Sequence, residues 1–177
     1  ATPEDAKGLL LASFAEPNPV LFLEHKFLYR SLKGLVPEGY YTTPIGKART
    51  ARPGRDITIV AYGVAVHWAL DAARTRAAEG HEAEVIDLRT LLPWDQETVL
   101  ASVRRTSRAL VLHEAPLTGG FGAEVAAVIA ERAFESLDAP VTRLGGADTP
   151  IPFAEALEEM FSPKPDLLPT LRRLLEY

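Results

Sequence analysis

Between His113 and Glu124 the chain reads HEAPLTGGFGAE, which places an imidazole, a carboxylate and a cluster of glycines just ahead of a helix. Three chemistries could use such a stretch: a phosphate cradle, an acid/base pair, or a tight strand-to-helix corner. Gly119, Gly120 and Gly122 fall where a helix N-terminus presents free N–H groups, the position that attracts anions. The spacing, however, is neither G-x-G-x-x-G nor the P-loop pattern, no lysine follows, and no ribose-binding acid is identifiable. A glycine corner that permits a tight turn and close packing is therefore favoured over a nucleotide cradle. His113 and Glu114 are neighbours at a strand end and point in opposite directions, which makes them a poor acid/base pair. Each is better read as a hydrogen-bonded polar residue at a domain surface.

The other histidines, His25, His67 and His81, have no metal-ligand spacing with one another or with the acids. His67 lies on an amphipathic helix beside Trp68, where packing is the ordinary explanation. Ser13-Phe14-Ala15-Glu16-Pro17-Asn18 ends a helix, so about four carbonyls lack helical partners there. Pro17 and Pro19 hold the following turn open. Such oxygens, with the Glu16 carboxylate nearby, can surround a hard cation, although the pattern alone favours a simple helix end.

The elements that must position these residues follow from periodicity. Thr2 caps a first helix with Pro3 at its first position and Asp5 as a capping-box acid. Val20–Leu23 reads as a short buried strand, and residues 31–55, rich in glycine and proline, as a linker between two bodies. Strands are expected at Ile57–Tyr62, Glu84–Leu88, Ala109–His113 and Val141–Leu144. Helices are expected at Val64–Glu79, Gln96–Thr106, Ala123–Leu137 and Leu167–Leu175. Their alternation implies a mostly parallel sheet covered on both faces.

The totals set the outer bounds. With 177 residues, 47% of them apolar, the chain has material for one domain plus an appendage. A net charge of −5 without like-charge blocks argues against nucleic acid or an anionic membrane as partner. The absence of cysteine removes disulfides, thiolate zinc sites and thiol nucleophiles, and fits an intracellular setting. The apolar runs are shorter than the roughly 20 residues of a membrane span, and there is no signal-peptide pattern. A first residue other than methionine fits a piece of a longer chain.

Several blocks carry a specific resemblance: DAKGLL from Asp5, Asn18-Pro19-Val20 with Phe22 and Glu24, Tyr29-Arg30, PIGKA from Pro44, VIDLRTLLP from Val85, HEAPLTGGF, Ala139-Pro140-Val141 and Asp148-Thr149-Pro150. In order along the whole chain, they resemble the beta subunit of the thiamine-diphosphate-dependent 2-oxo acid dehydrogenases. HEAPLTGGF is most similar to the branched-chain (2-oxoisovalerate) members, with the pyruvate enzyme second. The resemblance implies residues 1–30 as the end of a pyrimidine-binding domain, 31–55 as linker, and 56–177 as a three-layer α/β/α transketolase-like C-terminal domain, preceded by a helix-strand remnant.

It further implies a heterotetramer with an alpha subunit and a second beta subunit. In the complete enzyme, thiamine diphosphate with magnesium serves oxidative decarboxylation of a 2-oxo acid and acyl transfer to lipoamide. The family's catalytic histidine and pyrimidine-activating acid map upstream of Ala1, so no catalytic or cofactor-binding residue is expected here, and the segment alone should be inactive. A potassium ion in the family maps to Ser13, Glu16 and Asn18, largely through main-chain carbonyls; Glu16 departs from the aspartate frequent at that position. Tyr177, with its terminal carboxylate, and Asp138 map to the surface that docks the peripheral-subunit-binding domain of the dihydrolipoyl acyltransferase. The implied compartment is the bacterial cytoplasm or the mitochondrial matrix. The rival reading is a stand-alone transketolase-like interaction module.

Overall fold

The computed structural model describes residues 1–177. Its centre is a five-stranded sheet in the order β1-β3-β2-β4-β5, built from β1 (Arg49–Arg52), β2 (Ile57–Ala61), β3 (Ala83–Asp87), β4 (Ala109–Pro116) and β5 (Thr142–Gly146). β2, β3, β4 and β5 run parallel, and β1 closes one edge antiparallel to β3. Around them lie α1 (Pro3–Ala15), α2 (Leu28–Ser31), α3 (Ala65–Ala77), α4 (Gln96–Thr106), α5 (Gly122–Arg132), α6 (Glu155–Phe161) and α7 (Leu167–Leu175).

Strand alternation divides the core into two. Ile57, Ile59, Ala61, Val85, Leu110 and Leu112 face α3 and α7, where they meet Ala69, Leu171 and Leu174. Val60, Ile86, Ala109 and Val111 face the other way, onto Val99, Val103, Val125 and Ile129 of α4 and α5. Strands buried on both faces need apolar residues at successive positions, which is why ITIVA and ALVL carry no polar alternation. The chain leaves β2 toward β3 through α3, then crosses through α4 to β4 on the other side of β2. The carboxyl ends of β2 and β4 therefore flank the point at which the strand order reverses, the place where open α/β sheets form their crevice.

The expected helices and parallel strands are present with shifts of a few residues at their ends. Three differences have physical causes. Val20–Leu23 is extended but joins no sheet, and Leu21 and Leu23 are 86% and 77% exposed. A stretch becomes a strand only where a neighbour supplies ladder hydrogen bonds, and none of the five strands lies beside it. Arg49–Arg52, within the stretch read as linker, pairs with β3. α6 has no counterpart in the sequence reading; its seven residues lie between Pro152 and Pro163, which conceal so short a period. No helix is long and apolar enough to cross a membrane.

Leu171 is fully buried in the cluster that joins α7 to α3. Leu171→Ala should lower unfolding stability by about 2–5 kcal/mol, read from the midpoint of a urea transition; a loss below about 1 kcal/mol would show that α7 is not part of the core.

Candidate functional site

The corner after β4 sits at the reversal point of the sheet. His113 continues the face of Ala109 and Val111 and is fully buried. Its Nδ1 lies 2.8 Å from the Ala115 carbonyl. A carbonyl can only accept, so the ring proton is on Nδ1 and Nε2 carries a lone pair. That Nε2 has no hydrogen-bond partner. Tyr62, just past the end of β2, stacks on the imidazole with centroids 6.0 Å apart and planes 17° from parallel.

Glycines close the remaining sides. A Cβ on Gly122 would stand 2.3 Å from Nε2, and one on Gly120 or Gly145 would stand 2.8 or 2.7 Å from Cε1. Burial pushes the imidazole pKa down; the bond to Ala115 opposes that shift, and the Arg143 charge adds to it. The glycines thus let the backbone pack closely around the ring.

Glu114 points the other way and meets His25 Nε2 at 2.7 Å. The expected surface location thus holds for Glu114 and fails for His113. The difference lies in parity: residue 113 falls on the α4/α5 face of a strand buried on both sides. Beyond the corner, the Thr118 hydroxyl and backbone N–H bond Asp148 at 2.7 and 3.0 Å, and these bonds hold its carboxyl below the usual range. Arg143 donates to the Leu117 carbonyl at 2.9 Å.

A second constellation escaped the sequence reading. Asp5 and Asp87, both buried, share Arg49 and Arg89: Arg89 Nη2 is 2.7 Å from Asp5, and Arg49 lies 3.6 Å from Asp5 and 3.8 Å from Asp87. Asp5 also accepts the Thr2 hydroxyl at 2.7 Å, while Thr2 accepts the Asp5 N–H, so the acid of the expected capping box looks inward. Arg89 adopts φ 61°, a conformation uncommon outside glycine. Its N–H donates to Asp87 Oδ1 at 3.1 Å in a local turn. The joint fastens α1 to the sheet. Its only sequence signal was the Asp87-x-Arg89 spacing at a strand end.

The residues implied as cation ligands lie at the end of α1. Ser13 donates to the Leu9 carbonyl at 2.8 Å, and Asn18 Nδ2 donates to Glu16 Oε1 at 2.8 Å. Glu16 leaves the helix in an extended conformation and borders a shallow open cleft with Ala12, Thr43 and Ile45. No group of three or more His, Asp or Glu side chains is placed to hold a metal ion. His67 Nε2 donates to the Ala1 carbonyl at 2.8 Å. Tyr177 is exposed, and Asp138 keeps an exposed carboxylate 3.9 Å from Arg108.

The mostly parallel sheet with helices on both faces, and a histidine buried at its strand-order reversal, defines a doubly wound α/β domain. Residues 46–168 match the family model described as Transketolase, C-terminal domain, and the chain belongs to that family. It is 48% identical over 177 residues to the 2-oxoisovalerate dehydrogenase subunit beta 2, mitochondrial, of Arabidopsis thaliana, covering 99% of this chain and 49% of that one. It is 46% identical over 177 residues to the pyruvate dehydrogenase E1 component subunit beta of Bacillus subtilis, covering 100% of this chain and 54% of the relative. Among solved structures, a split-gene transketolase described as an inactive beta4 tetramer superposes with a TM-score of 0.66 at 32% identity, covering 80% of this chain and 46% of the other. The chain thus spans about half the length of the curated relatives it matches.

Two substitutions test the packing. Gly122→Ala should displace the His113 ring and cost about 1–3 kcal/mol in chemical denaturation; an unchanged midpoint would mean the corner is looser than described. Asp5→Asn leaves two arginines short of a counter-charge and should cost about 3 kcal/mol. A double-mutant cycle with Arg89→Met should show that most of this loss is shared with Arg89, and simple additivity would dissolve the joint.

Proposed function

We propose that this chain is the C-terminal portion of the beta subunit of a 2-oxo acid dehydrogenase, and that it seats other subunits while residues outside it make and break bonds. The observation that carries this reading is the near-equal identity, across the whole chain, to beta subunits named for 2-oxoisovalerate and for pyruvate. The HEAPLTGGF form inclines the substrate toward a branched-chain 2-oxo acid. Thiamine diphosphate, held with magnesium by the alpha subunit and upstream beta residues, would supply the electron sink for decarboxylation. In this reading the chain contributes position rather than chemistry.

Exposed apolar side chains on the segment after α1, including Leu21, Leu23, Phe27 and Tyr29, support an assembly role. The exposed carboxylate of Asp138 and the exposed ring of Tyr177 suit arginines of a peripheral-subunit-binding domain, because charge-assisted bonds from guanidinium to carboxylate are among the stronger polar contacts. Ser13, Glu16 and Asn18 are the ligands proposed for potassium.

Co-expression with an alpha subunit of a 2-oxoisovalerate or pyruvate dehydrogenase tests the whole. The beta polypeptide containing these residues should copurify with it, whereas a chain that stays alone would favour the interaction-module reading. Supplied with thiamine diphosphate and magnesium, the 177-residue chain by itself should release no carbon dioxide from a 2-oxo acid. Deleting Tyr177 should weaken calorimetric binding of the acyltransferase's docking domain at least tenfold, about 1.4 kcal/mol, and unchanged affinity would remove that residue from the interface. Thallium soaked into the assembled enzyme should give an anomalous peak beside Asn18, and a blank map there ends the potassium assignment.

A further inference from the structure

We propose that the corner after β4 is an acid-operated latch: protonation of His113 expels the imidazole from its glycine cage and releases the loop from Glu114 to Gly122, together with the N-terminal segment that Glu114 holds. The inference is independent of the proposed function. It begins with an imbalance in the cage. The Nδ1 proton is satisfied by the Ala115 carbonyl, but Nε2 abuts Gly122 and has no partner. A neutral ring tolerates this, because an acceptor facing apolar atoms loses only a hydrogen bond. A second proton on Nε2 would bury a full charge whose new N–H has no acceptor, which is far more costly.

The charged groups around the ring do not compensate. Arg143 on β5 opposes a positive imidazole, and the positive end of the α5 dipole does the same. Tyr62 contributes its ring face. Glu114, the nearest acid along the chain, is directed away and engaged by His25. Asp148 is held by Thr118. The folded pKa is depressed, so the stability the neutral ring contributes is fully present above the unfolded histidine value and is lost as pH falls through the folded one.

What the latch would release is also defined. The β4–β5 register shifts between Leu112 and Pro116, so residues 113–115 lie outside the regular ladder and can move without unzipping it. Between Pro19 and Val36 the N-terminal segment makes one side-chain bond to the sheet domain, His25 to Glu114. When the ring leaves, the Ala115 carbonyl loses its donor, the corner opens, and that tether loses its fixed end.

The test follows the 177-residue chain from about pH 8 to about pH 5, the range in which histidine charge changes. Ring 15N spectra report the state of His113, and hydrogen exchange, corrected for its intrinsic pH dependence, reports opening at Leu117, Ala123 and Val125. In the neutral range the ring should keep its proton on Nδ1. On the acid limb, protection at these amides should fall by up to about tenfold per pH unit while the amides of β2 stay protected. His113→Gln should flatten that dependence and His25→Gln should preserve it. Protonation of His113 with the corner amides still protected would overturn the latch. So would a response that survives in His113→Gln or vanishes in His25→Gln. If His113→Gln does not fold, the wild-type titration still decides, since ring protonation and amide opening must coincide.

Discussion

Burial of β2, β3 and β4 on both faces is the constraint from which the rest of this structure follows. A strand with no solvent face has no outlet for a polar side chain, so each one that enters must be met inside. Thr58 is met by the hydroxyls of Ser102 and Thr106 at 2.6 and 2.7 Å, joining β2 to α4. Glu84 is met by Arg105 and by the Gly54 N–H. Asp87 is met by Arg49. His113 is met on one nitrogen only. The first three are paired with groups on neighbouring elements and fix those elements in place, and the fourth makes the corner responsive.

The same constraint explains how an N-terminal helix can belong to the domain without adding to its sheet. α1 carries a low share of buried residues, chiefly Asp5 and Gly8, and is held by charge and by close approach. Gly8 lies so near Thr43 that a Cβ would stand 2.2 Å from its hydroxyl, and the Thr43 N–H donates to the Gly8 carbonyl at 3.0 Å. Polar attachment of this kind is specific in geometry but contributes modestly to stability.

Much of the architecture was legible because doubly buried strands and amphipathic helices announce themselves by period: ITIVA, ALVL and the leucines of α7 required no tertiary information. The glycine corner is legible as a corner, since its spacing fits neither G-x-G-x-x-G nor the P-loop pattern. Its contents are not. Whether residue 113 or 114 faces inward depends on register, and a shift of one position exchanges them. The Asp5–Arg89 contact joins residues distant in sequence through a left-handed backbone that no local pattern forecasts. Val20–Leu23 was read from composition, which reports a preference for burial and not the presence of a neighbour to bury against.

β1 forms one border of the sheet. It is four residues long, its pairing with β3 breaks between Thr50 and Arg52, it begins and ends with arginine, and Pro53 follows at once. A short, kinked, positively charged border ending in a residue without an N–H is a poor template for another chain's backbone. Growth of a foreign strand from that side is therefore disfavoured by the geometry of the border itself.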